Sequence, residues 1–273
     1  MKGPSYKSKI KQKRGYGQGV EYIPWIKVGE FSGRGNSVRS LGLKHKREHH
    51  FHSNKEAEIF YIFDLSPEVE EIREQFPLLD YELARNIAEE MGISYPSTKN
   101  SDPHILTTDF FVIYKSGTQI AYTFKYLKEL SDKPRKLELF ELERRYWKRK
   151  GIEFKIITDK NLPSRKERLA YKDLHASCQN NNYELTYFQN VYAFLNQKAE
   201  HQNMECLNYL LRESDKFFAY SPGTSLRLIK ILIARRLITT DLNILITDEN
   251  KLLTNLKFNV DYATSISESD LAA

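Results

Sequence analysis

The sequence predicts a mixed α/β domain over residues 53–165 and a mainly helical domain over residues 166–273. Three observations lead to this fold class. Helical and strand patterns alternate through the first region. A short polar gap containing Gly117 joins two of its strands. After Leu162-Pro163 the composition becomes rich in Asn, Gln and Tyr, and the patterns that follow are helical. A length of 273 residues is sufficient for about two domains.

Residues 1–52 are predicted to form a basic N-terminal arm and lead-in. This segment contains 12 basic and 3 acidic residues, a net charge of +9, whereas the other residues contain 30 basic and 33 acidic. Such a block indicates a polyanionic partner, because each neutralised phosphate releases a counterion. The alternative is a solubilising tail. Residues 1–20 are expected to be mobile, Tyr22–Val28 to be ordered, and residues 32–39 to form a loop.

The α/β domain is expected to begin with a helix of about 13 residues, because Ser53 and Glu56 match a capping box. An extended piece over Val69–Phe76 precedes a second helix, Tyr81–Met91, which Gly92 ends. The remaining predicted elements are a hairpin of strands Thr108–Tyr114 and Gln119–Leu127, a helix Pro134–Lys150 with Ser131 or Asp132 near its N-cap and Gly151 at its end, and a strand Ile152–Thr158.

The C-terminal domain contains the cationic stretch TSLRLIKILIARRL, predicted to be a helix capped by Thr224 or Ser225. Two short apolar runs follow, Leu237–Thr239 and Ile244–Thr247. A cationic helix before a tight hairpin is typical of a winged helix-turn-helix. A three-helix packing module with an edge hairpin fits the same pattern, and both interpretations stay open.

Several protein classes are excluded. The longest apolar runs, such as Phe110–Tyr114, are about a strand long, so no membrane span is expected. The charged start is not followed by an apolar stretch, which predicts a cytoplasmic protein without a secretory signal. Two cysteines, Cys178 and Cys206, are too few for a disulfide framework or a four-thiolate zinc site.

The predicted hairpin brings Asp109 close to Lys125. In the second strand the apolar residues alternate with Thr123 and Lys125, which share the opposite face; the apolar set is Ile120, Tyr122, Phe124 and Tyr126. A carboxylate beside a lysine is a common cross-strand salt bridge. It is also the arrangement of a hard-cation site in which Asp109 holds a metal and Lys125 positions or deprotonates a water.

Two glutamates are further candidates. The capping box accounts for Glu56 without an active site. Glu143 lies at the centre of an apolar helical stripe formed by Leu139, Phe140, Tyr146 and Trp147, where a charge must be compensated. Arg144 or Arg145 is a structural candidate for that compensation.

Several sequence motifs resemble those of the TnsA family, the endonuclease subunits of heteromeric cut-and-paste transposases. They are RGYGQGVEYIPWIKV (14–28), EIREQFPLL (71–79), TTDF (107–110), KLELFELERRYW (136–147), ITDK (157–160) and, in the last third, GTSLRLIKILIARRLITTDLN (223–243). The resemblance implies a catalytic domain with a restriction-endonuclease-like fold, a mixed sheet flanked by helices, and a winged-helix-like C-terminal domain.

The resemblance also implies site residues. The catalytic glutamate of the family falls on Glu56, its metal-binding aspartate on Asp109 and its lysine on Lys125, and the ELERRYW glutamate is Glu143. The backbone carbonyl of Phe124 is an implied ligand of Mg²⁺, for which Mn²⁺ can substitute. Where the family has Glu or Gln, this chain has Thr123, a shorter neutral ligand whose bond to the metal can be replaced by water.

The function expected from this resemblance is Mg²⁺-dependent hydrolysis of double-stranded DNA at transposon ends. The cut falls on the 5′, non-transferred strand, and the partners are the TnsB transposase and the ATP-dependent regulator TnsC. The alternatives are a stand-alone restriction or repair nuclease and a non-catalytic DNA-binding scaffold in which Thr123 marks a lost site.

Overall fold

A computed structural model describes residues 3–30, 36–97, 102–128, 134–179, 181–200, 204–249, 251–259 and 266–271. The chain divides into two compact units, Met1–Leu162 and Pro163–Ala273. This division falls three residues before the predicted boundary at residue 165. No helix of the described ranges is long and apolar enough to cross a membrane.

A mixed four-stranded sheet forms the centre of the first unit. Its elements from residue 54 onward are α2 Asn54–Asp64, β3 Val69–Pro77, α3 Tyr81–Glu90, β4 Thr107–Tyr114, β5 Gln119–Lys125, α4 Pro134–Arg149 and β6 Glu153–Thr158. The strands lie in the order β3-β4-β5-β6, and the first two pairs are antiparallel whereas β5 and β6 run parallel. The helices α2, α3 and α4 flank the sheet, which is consistent with the restriction-endonuclease-like fold.

Both faces of this sheet are covered, which corrects the expectation of a single apolar face on β5. Ala121 and Thr123 are buried together with Tyr122. One face packs with α3 and α4 in a cluster that includes Phe111, Ala121 and Trp147. On the other face the Phe63 ring of α2 contacts Phe110 and Tyr122. Tyr126, predicted to be in the core, lies beyond the strand and is exposed.

In the first unit, the predicted start of α2 and the predicted end of α3 are confirmed. Ser53 caps α2 by accepting a bond from the Glu56 N–H, and α3 ends before Gly92, which has a positive φ. The expected N-cap of α4, Ser131 or Asp132, lies outside the described residues.

Residues 1–52 belong to the first unit rather than to a separate arm, which corrects the predicted organisation. Tyr22 and Trp25 are buried, and Arg14 is buried in a two-bond ion pair with Glu30. Part of the predicted loop at 32–39 is strand; residues 31–35 lie outside the described residues. The elements of this segment are α1 Tyr6–Lys11, a short 3₁₀ turn Gly19–Glu21, β1 Val38–Leu41 and β2 Glu48–Phe51.

The second unit consists of helices and a two-stranded antiparallel ladder, in which Ile238 pairs with Phe258. Its bounds are α5 Arg165–Cys178, α6 Leu185–Glu200, α7 Leu207–Phe217, α8 Thr224–Ala234, β7 Ile238–Thr240, a 3₁₀ turn Leu253–Asn255, β8 Leu256–Phe258 and α9 Glu268–Leu271.

Two predictions for the second unit were wrong. The run Ile244–Thr247 is not a strand, because the partner of β7 is β8, beyond a long loop. Helix α8 is not capped by its own Thr224 or Ser225. Its N-cap is Gly223, and the Asp215 carboxylate of α7 accepts bonds from the N–H groups of Gly223 and Ser225, each 2.7 Å long.

Candidate active site

The Asp109 carboxylate on β4 receives three donors from consecutive residues at the end of β5. The Thr123 Oγ1 and the Phe124 N–H each donate to Asp109 Oδ2 at 2.8 Å, and Lys125 Nζ lies 3.4 Å from the same oxygen. The other oxygen, Oδ1, takes none of these three bonds. The hairpin therefore places Asp109 beside Lys125, as the sequence predicts.

Lys125 lies among three carboxylates. Its Nζ is 5.4 Å from the centre of the Phe140 ring, which belongs to α4. Burial opposes the charge, but Asp109, Glu143 and Glu56 outweigh it and raise the pKa of Lys125. The group is thus a protonated ammonium near neutral pH, which favours donation of hydrogen bonds over removal of a proton from water.

Glu56 combines helix capping with a position in this cluster. Its Oε2 accepts the His52 N–H at 3.0 Å and its Oε1 accepts the Ser53 hydroxyl at 2.8 Å. Burial, followed by repulsion from Asp109, raises the pKa of Glu56 to about 7. A cation bound nearby would favour the ionised form of this carboxyl group.

Glu143 is buried inside the first unit. Its Oε1 accepts the Thr108 hydroxyl at 2.6 Å, and Thr108 Oγ1 accepts the Trp147 indole N–H at 2.7 Å. Burial raises the pKa of Glu143 to about 8, with a further contribution from Asp109. The suggested compensation by an adjacent arginine was wrong, because Arg144 and Arg145 both bond to Glu141.

The structure thus brings Glu56 and Glu143 each within electrostatic range of both Asp109 and Lys125. In the described part of the chain, no group of three or more His, Cys, Asp and Glu side chains is arranged to hold a metal ion. Any cation at this cluster would therefore need backbone, water or substrate oxygens besides the side chains.

The sequence interpretation missed two neighbours of Glu56. Gln75 has a left-handed φ of 48° and its Nε2 lies 3.5 Å from Glu56 Oε2, while its Oε1 accepts the Thr107 hydroxyl. The Nε2 atom of His52 is buried and has no hydrogen-bond partner among the residues that the structure describes, and burial lowers the pKa of this ring. A histidine four residues before a candidate glutamate was the available signal for His52. Nothing local indicates Gln75.

A family model described as TnsA-like endonuclease N terminal matches residues 66–159, and one described as TnsA endonuclease C terminal matches residues 170–242. The chain belongs to the TnsA endonuclease family.

A curated member of the family from Escherichia coli, the Transposon Tn7 transposition protein TnsA, is 41% identical to this chain over 166 residues. The aligned part is 60% of this chain and 60% of that relative. The chain therefore spans about three fifths of the relative that it matches. The N-terminal family model covers Asp109, Lys125 and Glu143 but begins after Glu56.

Proposed function

We propose that this protein is a metal-dependent DNA endonuclease that cuts the 5′, non-transferred strand at transposon ends. The observation that carries the proposal is the contact of Asp109 with three consecutive residues of β5, ending at Lys125, next to the Glu56 carboxylate. Family membership supports the same activity.

The donors fit Mg²⁺, which is usually held by one or two carboxylates together with waters and substrate phosphates. Glu56 and Asp109 would supply the carboxylates, and a neutral oxygen would come from the carbonyl of Phe124, the residue whose N–H contacts Asp109. When bound, the ion supplies charge neutralisation at the phosphate and a more acidic water. Mn²⁺ is the expected substitute.

Lys125 has the role of a fixed cation. As an ammonium it donates hydrogen bonds to the attacking water or to a phosphate oxygen, and its contact with Asp109 and the Phe140 ring fixes its position. On the buried side of Lys125, Glu143 accepts the hydrogen bond from the Thr108 hydroxyl. Because burial raises the pKa of Glu143, this carboxyl competes less with the substrate for the Lys125 charge than a fully ionised carboxylate would.

The proposed partners are TnsB and TnsC. We assign their binding to the second unit, which would act as a winged-helix-like protein-binding module. The basic side chains of α8 argue against DNA recognition by this helix, because they bind other parts of the second unit. Lys230 pairs with Asp173 at 2.8 Å, and the Arg227 guanidinium donates to the backbone carbonyls of Ser177 and Gln179. Most of α8 is buried.

The DNA contacts are proposed for the exposed lysines of the N-terminal segment. Arg14 and Arg47 are buried in ion pairs and cannot contact a phosphate. Lys7 and Lys11 are exposed and lie one helical turn apart on α1.

Replacing both Lys7 and Lys11 with alanine will weaken binding to duplex DNA about tenfold or more at 0.1 M salt and reduce the slope of log K against log salt by about 2. Fluorescence anisotropy at several salt concentrations measures both quantities. The control is Lys115→Ala, since this exposed lysine lies in the turn at the other end of the hairpin from Asp109. An unchanged salt slope in the double variant would exclude these contacts.

The proposed function is tested with transposon-end duplexes labelled separately on each strand. With TnsB and Mg²⁺ present, the protein should cut the 5′ strand, and chelation should stop this cut until Mg²⁺ or Mn²⁺ is restored. Cutting of any duplex without TnsB would instead indicate a stand-alone nuclease. Stable DNA binding without cutting under all conditions would indicate a scaffold.

A further inference from the structure

Thr123 stands where the family pattern places a metal-binding Glu or Gln, and its side chain is directed to Asp109. The residue is 2% exposed, and its Oγ1 donates to Asp109 Oδ2 at 2.8 Å. A threonine hydroxyl has one proton, and this bond uses it. The side chain therefore holds the carboxylate that the metal site requires.

The three donors on Asp109 Oδ2 restrict the rotation of the carboxylate. Two of them, the Thr123 hydroxyl and the Phe124 N–H, are on a buried strand and cannot follow a rotating side chain. Because they hold Oδ2, Oδ1 is left for another ligand. Outer partners of this kind orient a metal ligand and typically contribute 10- to 100-fold to metal affinity.

Building on the proposed function, we propose that Thr123 is a positioning residue that fixes Asp109 and does not itself ligate the cation. The site then has one protein ligand fewer than a site built with Glu or Gln at this position. An oxygen of the DNA phosphate or a water completes the coordination, so that cation binding is tightened by DNA.

The test is the binding of Mn²⁺ to the full chain, measured by calorimetry and by electron paramagnetic resonance. Thr123→Val, which keeps the shape but removes the hydroxyl, should lower Mn²⁺ affinity about tenfold. Thr123→Ser should restore it. Thr118→Val, in the exposed turn before β5, is the matched control and should bind as the unmodified protein does.

Thr123→Cys separates positioning from ligation. A thiolate that faces the ion would shift the preference from Mn²⁺ towards Cd²⁺, because sulfur ligands favour soft metals. We expect no such shift. A clear gain in Cd²⁺ affinity, or wild-type Mn²⁺ affinity in a folded Thr123→Val protein, would overturn the assignment.

Asp109→Asn distinguishes failure of this inference from failure of the proposed function. If Asp109→Asn binds Mn²⁺ as well as the unmodified protein, the cation site itself is misplaced. If only Thr123→Val retains full affinity, the cation site is correctly placed and the positioning role is wrong.

Addition of an uncleaved duplex should raise the Mn²⁺ affinity of the unmodified protein. An unchanged affinity would contradict completion of the site by DNA.

Discussion

Asp109→Asn will lower DNA cleavage by about 10³-fold or more while DNA binding stays within about twofold. An asparagine oxygen can take the place of Oδ2 and accept the bonds from Thr123, Phe124 and Lys125. Its amide nitrogen then occupies the place of Oδ1 and cannot ligate a cation. Losing a metal that is worth several kcal/mol in the transition state accounts for the expected loss of rate.

The measurement is single-turnover cleavage of a transposon-end duplex with the partner transposase, together with anisotropy for binding. Asp80→Asn is the control, because Asp80 is a half-exposed aspartate of the same unit that caps α3 and pairs with Lys150. Cleavage by Asp109→Asn at the rate of the control would mean that the reaction takes place elsewhere in the protein.

Arg47→Met will destabilise the first unit by about 3–5 kcal/mol, since it leaves a buried carboxylate without its counter-charge. Glu74 is fully buried, and both of its oxygens accept bonds of 2.7 Å from the Arg47 guanidinium. The His49 ring and the His50 N–H also contact this carboxylate, so Glu74 keeps some of its hydrogen bonds in the variant.

Urea unfolding with a probe in the first unit measures this effect. Arg39→Met is a matched control, because Arg39 lies in the same β1–β2 hairpin but forms an exposed pair with Glu48 at 3.7 Å. Its loss should cost less than about 1 kcal/mol. Equal stability of the two variants would show that the buried pair does not support the fold.

The pH dependence of the Arg47→Met effect has a definite sign. Burial opposes ionisation of Glu74, but His49 and Arg47 outweigh it and hold the pKa of this carboxyl well below its usual range. The unmodified protein therefore loses stability as the pH falls below about 4.5, where the unfolded carboxyl takes up a proton. Without Arg47 the pKa of Glu74 is less strongly lowered, because His49 alone then opposes the effect of burial. The variant therefore loses less stability in acid, and the difference between the two proteins shrinks.

The elements of the first unit from α2 to β6 were predictable because their signals are local. The Ser53–Glu56 spacing, the short polar turn between β4 and β5 and the glycine after α3 each act within a few residues. The burial of Glu143 also followed from its apolar neighbours four and three residues away.

The wrong predictions concern contacts between distant segments. Charge counting assigned Arg14 and Arg47 to a free arm, whereas their partners are the distant Glu30 and Glu74. Alternation on β5 predicted one apolar face, whereas the packing of α3 and α4 buries the other face as well. The partner of β7 is separated from it by a loop too long for hairpin rules.

Part of the candidate site was likewise beyond local reasoning. The Asp109–Lys125 contact followed from the hairpin, but the approach of Glu56 was expected only through the family resemblance. Helix α5 was missed, although Ser164 and Glu167 form a capping box of the same type as the one sought at Ser53. The departure at Thr123 was visible in the sequence, whereas its bond to Asp109 required the structure.

The central claim is that Glu56, Asp109 and the Phe124 carbonyl bind the cation that supports DNA cleavage. Anomalous diffraction from crystals soaked in Mn²⁺ tests it most directly. We expect an anomalous peak in contact with both carboxylates and that carbonyl, with Lys125 close by and no bond from Thr123 to the ion. No peak at these residues, or a peak only at another site, would contradict the claim.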